Sequence, residues 1–354
     1  MSEQELLLAV GRATAAAADP TLEQFQSGAR WATFRWIAAF LPGAPPRFSP
    51  LAARVRNHHR QAFTEALGLG AGLLVAERLV AGGTRVVPYG AGSSGAPSII
   101  DIDTKADGAG LRADLEIVPP LGAPGPRVIL ECKGTSQARG AVVGQLRKGV
   151  DQVLAETGPA RRIVVGARAP KSASEVAVYA VEVPQPPGPG QAPGTAPGSG
   201  PPPASPPPPV SPRPPGPSGP PLGDVERRAW LEGQRILRYA GLREQDVDAV
   251  SGSSRHAGVE LVGSTARIAT VDGWRDVTVG IVGDVARRLF AGGPWEARVG
   301  SGREAAAEAW QSRGGEVGVA REGPDAGVLT VEDAGETVSV AADGCALAVA
   351  PVSD

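Results

Sequence analysis

An α/β fold is predicted for the first half of this chain, followed by a smaller α+β unit, and three features of the sequence predict it. Apolar residues keep helical spacing up to about residue 80, then switch to short β-type runs as far as residue 183. One amphipathic stretch, residues 141–156, separates two of those runs, as a crossover helix between parallel strands would. Residues 184–221 hold 19 prolines in 38 positions, which divides the chain into two folding units.

The elements follow in order. Residues 1–48 read as an N-terminal helical segment: Leu6-Leu7-Leu8 opens one helix, and Phe25, Trp31, Phe34, Trp36 and Phe40 crowd a second before Pro42 stops it. That aromatic spacing reads as a packing face. A helix is expected over residues 49–80, broken near Gly68-Leu-Gly-Ala-Gly72. Strands are expected at 84–89, 98–105, 112–118 and 127–133, with a Gly-rich loop at 90–97 and turns between the others. The amphipathic helix 141–156 carries Val142, Leu146, Val150, Val153 and Leu154 on one side, and strands at 162–167 and 176–183 end the unit. Residues 49–183 therefore form the first main domain, 184–221 a linker and 222–354 the second domain.

The linker has one charge, Arg213, and no aromatic residue, so it cannot bury enough apolar surface to offset ordering. Extended at about 3.1 Å per residue, it could hold its neighbours up to roughly 100 Å apart. Its Pro-x-x-Pro repeats would also suit SH3- or WW-type modules, but a spacer is the plainer reading. Beyond it, residues 224–239 form an amphipathic helix. Strand-like runs follow at 259–262, 267–271, 277–282, 317–320, 328–331, 338–341 and 346–349, with helices at 283–290 and 303–310. No compact catalytic constellation is visible in this half.

Charge and cysteine usage limit the functions. Residues 1–182 carry 20 Lys and Arg against 16 Asp and Glu, whereas residues 223–354 carry 14 against 21. Phosphate contacts dominate nucleic-acid affinity, so DNA is assigned to the first half and a protein partner to the acidic second half. The longest apolar runs are interrupted within about ten residues, so no membrane partner is expected. An acidic start without a basic region argues against a signal peptide. The two cysteines, Cys132 and Cys345, fall in different units, so a disulfide framework is not expected and a cytoplasmic location is. Neither they nor His58, His59 and His256 show zinc spacing. A homodimer is compatible with these features.

The chemistry concentrates in residues 128–133. Strand alternation puts Ile129, Glu131 and Lys133 on one face and Leu130 and Cys132 on the other. A carboxylate and an ammonium thus emerge together from an apolar strand, where burial without function is expensive. Asp114 and Glu116 share a face of the preceding strand, so Asp114 and Glu131 can converge on one hard divalent cation. A cation held by carboxylates beside an ammonium suits phosphodiester hydrolysis: the metal stabilises developing charge while the ammonium positions or polarises water. Arg outnumbers Lys 31 to 4 in this chain, so a lysine kept at position 133 indicates a need for an ammonium.

These residues closely resemble the PD-(D/E)XK, or restriction endonuclease-like, nuclease superfamily, with its α-β-β-β-α-β core. Glu131-Cys132-Lys133-Gly134-Thr135-Ser136 is similar to the Glu-x-Lys strand end of Mrr-type endonucleases and archaeal Holliday-junction resolvases. Ala76-Glu77-Arg78-Leu79, Gly83 to Val87 and Gly92-Ser93-Ser94-Gly95 are similar to the resolvase run of helix, strand and Ser/Gly loop. The resemblance covers about residues 70–170. It implies a Mg²⁺- or Mn²⁺-dependent DNA endonuclease of bacterial restriction, defence or repair. Asp114 and Glu131 would then hold the metal with Glu77 as a further carboxylate, Lys133 would act on the water, and Gln145 would orient the site. Ala113 stands where the family has Pro, and the extra strand at 98–105 leaves Asp101 or Asp103 as rivals to Asp114. The competing readings are a catalytically silent nuclease-fold module that binds nucleic acid or protein, and a structural Glu–Lys pair in an unrelated α/β protein.

Three further features have plainer readings. His58 and His59, among Arg54, Arg56 and Arg60, read as a solvated face, with phosphate contact beside the active site as the alternative. Cys132 reads as a small core residue. Ser251 to Ser254 with His256 read as a loop, since no positioned acid is apparent.

Overall fold

The computed structural model of the chain describes residues 1–17, 33–80, 98–101, 113–118, 128–155, 161–169, 175–184, 224–246, 252–299, 321–322 and 328–352. The strand expected at 84–89, the loop at 90–97, the linker, the strand at 317–320 and the helix at 303–310 lie outside the described residues. So do Phe25, Trp31 and Asp103.

The first helix, α1 (Glu3–Ala17), begins in a reciprocal cap. The Ser2 hydroxyl accepts from the Glu5 N–H at 3.1 Å, and the Glu5 carboxylate accepts from the Ser2 N–H at 2.6 Å. Leu6, Leu7, Leu8, Ala9 and Val10 are all fully buried, a pattern apolar on every side. Such a helix belongs inside a structure. It packs against a long helix of the first half and against the first helix of the second half, so it is the shared centre of the molecule.

A short hairpin, β1 (Phe40–Leu41) and β2 (Arg47–Phe48), follows, with Phe40 opposite Phe48. Trp36, Phe40 and Phe48 gather on Phe63 with ring centroids 4.6, 6.0 and 5.6 Å away, so Trp36 and Phe40 do pack on one face, although Phe40 lies in a strand rather than in the expected helix. The helix expected from residue 49 is divided differently. Ser49 caps a 3-10 turn, Pro50–Arg54, and helix α2 then runs without interruption from Asn57 to Val80. Its glycines do not break it; they let it approach its neighbours. A Cβ at Gly68 would lie 2.8 Å from the Lys133 backbone, one at Gly70 2.5 Å from Val10, and one at Gly72 2.3 Å from Cys132 Sγ. Three glycines at alternate positions seat α2 between the sheet and α1.

The first sheet contains β3 (Ser98–Asp101), β4 (Leu115–Val118), β5 (Val128–Thr135), β6 (Arg161–Arg168) and β7 (Ala177–Val183), in that spatial order. Only β5 and β6 are parallel, in register from Val128 opposite Arg161 to Thr135 opposite Arg168, and α3 (Arg139–Ala155) makes the crossover. The other pairs are antiparallel. One face presents Val128, Leu130, Cys132, Ile163 and Val165 to the core shared with α1 and α2. The other presents Ile129 and Val164 to Val142, Leu146 and Val153 of α3. The chain is therefore mixed α/β, as the sequence pattern indicates.

The second half begins with α4 (Asp224–Ala240). Its strands are β8 (Ser254–His256), β9 (Val259–Thr270), β10 (Gly273–Val282), β11 (Arg321–Glu322), β12 (Val328–Asp333), β13 (Glu336–Ala341) and β14 (Cys345–Pro351), and α5 (Gly283–Phe290) follows β10. They form one antiparallel seven-stranded sheet ordered β11-β12-β13-β14-β10-β9-β8. The runs 259–262 and 267–271 belong to a single strand. Gly263 does not end it, because a Cβ there would lie 2.2 Å from the Val279 carbonyl oxygen of the adjacent β10. Glycine is required by the close approach of two strands.

The two halves are not held apart. Their apolar residues form one continuous cluster around α1. Arg12 on α1 donates to both carboxylate oxygens of Glu77 on α2 at 2.7 and 3.1 Å, and to Asp343 at 2.9 Å; Arg235 on α4 donates to Asp343 at 2.7 Å. Burial works against the charges of Arg12, Arg235 and Asp343. Asp343 and Glu77 nonetheless hold Arg12 charged, and the two guanidiniums hold the Asp343 carboxyl far below its usual range. The Pro-rich stretch thus connects docked units rather than separated ones.

Candidate active site

β5 is apolar for most of its length, lies between β4 and β6, and is covered on one face by α2 and on the other by α3, so a charged residue within it must be held by its neighbours. Glu131 is fully buried. Lys133, two residues on and on the same face, contacts Glu131 Oε1 through its Nζ and stays 25% exposed, so the site opens at the C-terminal end of β5. The β4–β5 ladder pairs Leu115 with Leu130 and Glu116 with Ile129, which sets Asp114 opposite Glu131 one step beyond it. Residues at such positions have Cβ atoms roughly 5 Å apart. Asp114 is fixed there, since its Oδ2 accepts the Cys132 N–H at 2.7 Å. Asp114, Glu116, Glu131 and Lys133 therefore share one face.

The electrostatics follow from this crowding. Burial pushes the Glu131 carboxyl up to about 7, the Asp114 charge adds to the rise, and Lys133 opposes it. Glu131 Oε2 is buried without a hydrogen-bond partner. Two carboxylates meet one ammonium, and a buried acceptor remains unsatisfied. A divalent cation would meet both demands.

Helix α3 closes the face. Gly149 lies directly over the strand pair, since a Cβ there would be 2.5 Å from Val164 and 3.0 Å from Glu131 Cγ. The α3 residues Val142 and Leu146 lie over Gly166, which is in register with Lys133. Gln145, one turn before Gly149, is thus on the site side of the helix at the level of Lys133, and its buried Oε1 has no hydrogen-bond partner. The structure brings Asp114, Glu131 and Lys133 together, with Gln145 on the helix that covers their face.

Glu77 is not brought there. The expectation that it is a metal carboxylate is corrected by its position and its partner. α2 packs on the Leu130 and Cys132 face, opposite the one that carries Glu131. Gly68 is level with Lys133, whereas the Leu79 carbonyl accepts from Arg161, which pairs with Val128. Glu77 is therefore near the far end of β5, about 10 Å along the strand from Glu131 at 3.3 Å per residue. Both of its oxygens are held by Arg12. Asp101 is in register with Leu115, one position out of phase with Asp114 and Glu116. Among the described residues no group of three His, Cys, Asp or Glu surrounds a common point.

Two smaller expectations are resolved as well. Cys132 packs under Gly72, and burial pushes its thiol well above the ordinary range, so it is an inert core residue. The Ser and His segment is partly a strand, β8, and Glu336 does approach His256. Nε2 of His256 is shared by Ser254 at 3.1 Å and Thr278 at 3.0 Å, and Glu336 Oε1 is 3.9 Å from Nδ1, beyond hydrogen-bond reach. This cluster ties β8 to β10 and does not align a nucleophile. Sequence reasoning missed Gly149, whose sole signal is a glycine inside an amphipathic helix.

Compared with protein-family models, with curated proteins and with solved structures, the chain matches none.

Proposed function

We propose that the chain is a Mg²⁺- or Mn²⁺-dependent DNA endonuclease of the PD-(D/E)XK type, acting in bacterial restriction, defence or repair. The observation that carries this reading is the juxtaposition of Asp114, Glu131 and Lys133 on adjacent strands at the open end of β5. The order α2-β3-β4-β5-α3-β6, with its parallel β5–β6 pair, supports it because it follows the α-β-β-β-α-β core of that superfamily.

Asp114 and Glu131 fit a small hard cation, which takes one or two protein carboxylates and keeps its remaining positions for water and phosphate. When bound, such a cation supplies Lewis-acid stabilisation of the charge that grows on the phosphate oxygens. The chain does the rest. Lys133, held beside Glu131 and reaching solvent, donates hydrogen bonds from Nζ to an attacking water or a phosphate oxygen. The Gln145 amide, whose Oε1 is buried without a partner, would orient that water. Asp114, locked by the Cys132 N–H, sets the spacing between the carboxylates.

Incubation of supercoiled plasmid with the full-length protein and Mg²⁺ tests the reading. Wild type converts it to nicked or linear forms, while Lys133→Ala and Asp114→Asn lose at least a hundredfold in rate with unchanged thermal melts. No cleavage of duplex, single-stranded or branched DNA, or of RNA, would overturn it. A second reading, a silent module of this fold that binds nucleic acid or protein, is favoured by one observation. Glu131 and Asp114 already find partners within the chain in Lys133 and the Cys132 N–H.

A further inference from the structure

We infer that a cavity at the N-terminal end of α2, of about 390 Å³ and lined by Arg35, Trp36, Arg54, Val55, Arg56 and His59, binds backbone phosphates of the nucleic acid. The inference deepens the nuclease reading by assigning a second contact to the same substrate, and it can be tested without cleavage.

Three guanidiniums meet in this cavity, and among the described residues no carboxylate pairs with Arg35, Arg54 or Arg56. Uncompensated guanidiniums gathered in one concavity create a local field that attracts anions. Their forked donors match phosphate oxygens in a way that ammonium groups do not. The wall is also prearranged. Arg60 donates to the carbonyls of Ala52, Ala53 and Val55 at 3.2, 3.3 and 3.1 Å, and so pins the turn that carries Arg54 and Arg56. Arg60 therefore positions the other two arginines.

Arg35 is fixed in turn. Its guanidinium lies over the Trp36 ring at 4.9 Å, and Trp36 is itself stacked on Phe63. Arg35 Nη2 lies 2.7 Å from His59 Nδ1. A guanidinium can only donate, so Nδ1 of His59 is the acceptor and holds Arg35 in place. Ordering these side chains in advance lowers the entropy cost of gripping an anion.

Position selects the occupant. α2 touches β5 at Gly134, where a Cβ would clash with the Thr64 carbonyl oxygen, one residue beyond Lys133. From Thr64 back to His59 the helix rises about 7.5 Å at 1.5 Å per residue. The cavity therefore lies just beyond the end of β5 at which the Lys133 ammonium emerges. Both features therefore lie at the same end of the sheet, the cavity on its α2 side and Lys133 on its α3 side.

The test is binding of a fluorescein-labelled 20-base-pair duplex to the full-length protein in EDTA, followed by anisotropy from 0.05 to 0.3 M salt. Arg54→Gln/Arg56→Gln should weaken binding at least tenfold near 0.1 M salt and lower the log–log salt slope by about 1.8, two phosphates at about 0.9 each. Its circular dichroism and melting temperature should match wild type. An unchanged affinity and slope would overturn the proposal, as would a wild type that does not bind the duplex. Titrations with inorganic phosphate and with polyglutamate separate other occupants. If the variant loses either of these equally while keeping DNA affinity, the cavity serves a free anion or an acidic chain, and the proposal fails. The two readings fail differently: binding without cutting by wild type overturns the nuclease, while the loss of affinity in the arginine variant still supports the cavity.

Discussion

Asp343 is the residue whose removal the structure makes most costly. It is fully buried and accepts from Arg12 Nε at 2.9 Å, Arg235 Nη2 at 2.7 Å and the Cys345 N–H at 3.0 Å. Arg12 keeps Glu77 if Asp343 is neutralised, but Arg235 keeps only the weaker attraction of the buried Glu232. Asp343→Asn keeps the shape and deletes the charge, leaving a guanidinium that is 1% exposed without its counter-ion. Breaking a buried pair in this way costs about 3–5 kcal/mol. At roughly 2–4 °C per kcal/mol, the melting temperature should fall by about 6–20 °C. The sign with pH is fixed. Asp343 is held far below its usual range, so it stabilises the fold above about pH 4, and the gap between wild type and variant should narrow as the pH falls below that. Urea melts of wild type, Asp343→Asn, Arg235→Met and the double variant provide the assay. The cycle should return a coupling above about 1 kcal/mol. A single-variant loss under about 1 kcal/mol, or additive effects, would refute the claim that Asp343 is the counter-ion of the buried Arg235.

Two further outcomes follow from the candidate site. Glu131 has a folded-state pKa of about 7, above its ordinary value, so its carboxylate costs stability as pH rises through that range. In EDTA, Glu131→Gln should raise the melting temperature at pH 8, leave it nearly unchanged at pH 5, and abolish Mg²⁺-dependent cutting; equal effects at both pH values would refute the assignment. Gly149→Ala places a methyl group 2.5 Å from Val164 and 3.0 Å from Glu131 Cγ, so it should lift α3 and destabilise by about 1–3 kcal/mol in chemical denaturation. A neutral result would show that α3 does not rest on Glu131.

Alternation over residues 128–133 was enough to assign Ile129, Glu131 and Lys133 to one face, because a strand has a period of two whatever surrounds it. The short connection to the preceding strand then made Asp114 a neighbour, and the register agrees. What the sequence could not reveal depends on partners distant in the chain. Arg12, within an apolar helix, pairs with Asp343, 331 residues away, and no local pattern marks that. Glu77 was misassigned for the same reason: a helix carboxylate two turns from a glycine cluster looks alike whether it faces a metal or an arginine. Gly68, Gly70 and Gly72 read as a break because glycine weakens an isolated helix. They favour the helix here because β5 and α1 need their missing side chains.

The docking of the halves bears on the charge asymmetry as well. Residues 223–354 carry 14 basic against 21 acidic residues, a difference of seven negative charges. A tether that let them roam would bring those charges to any surface, including one that must attract phosphate. Closing a long connection costs little more than closing a shorter one, about 0.6 kcal/mol for each doubling of length, so a modest interface suffices to dock them. The interface is not modest: α1 is buried from Glu3 to Ala13 between the halves, and Arg12 joins Glu77 to Asp343 within it. It holds the acidic half on the side of α1 and α2, the sheet face that Glu131 and Lys133 do not share. Cutting the Arg12 contacts should therefore do more than lower stability. It should release seven negative charges toward the candidate site, and Arg12→Met should weaken duplex binding at low salt more than at high salt, where screening removes the difference.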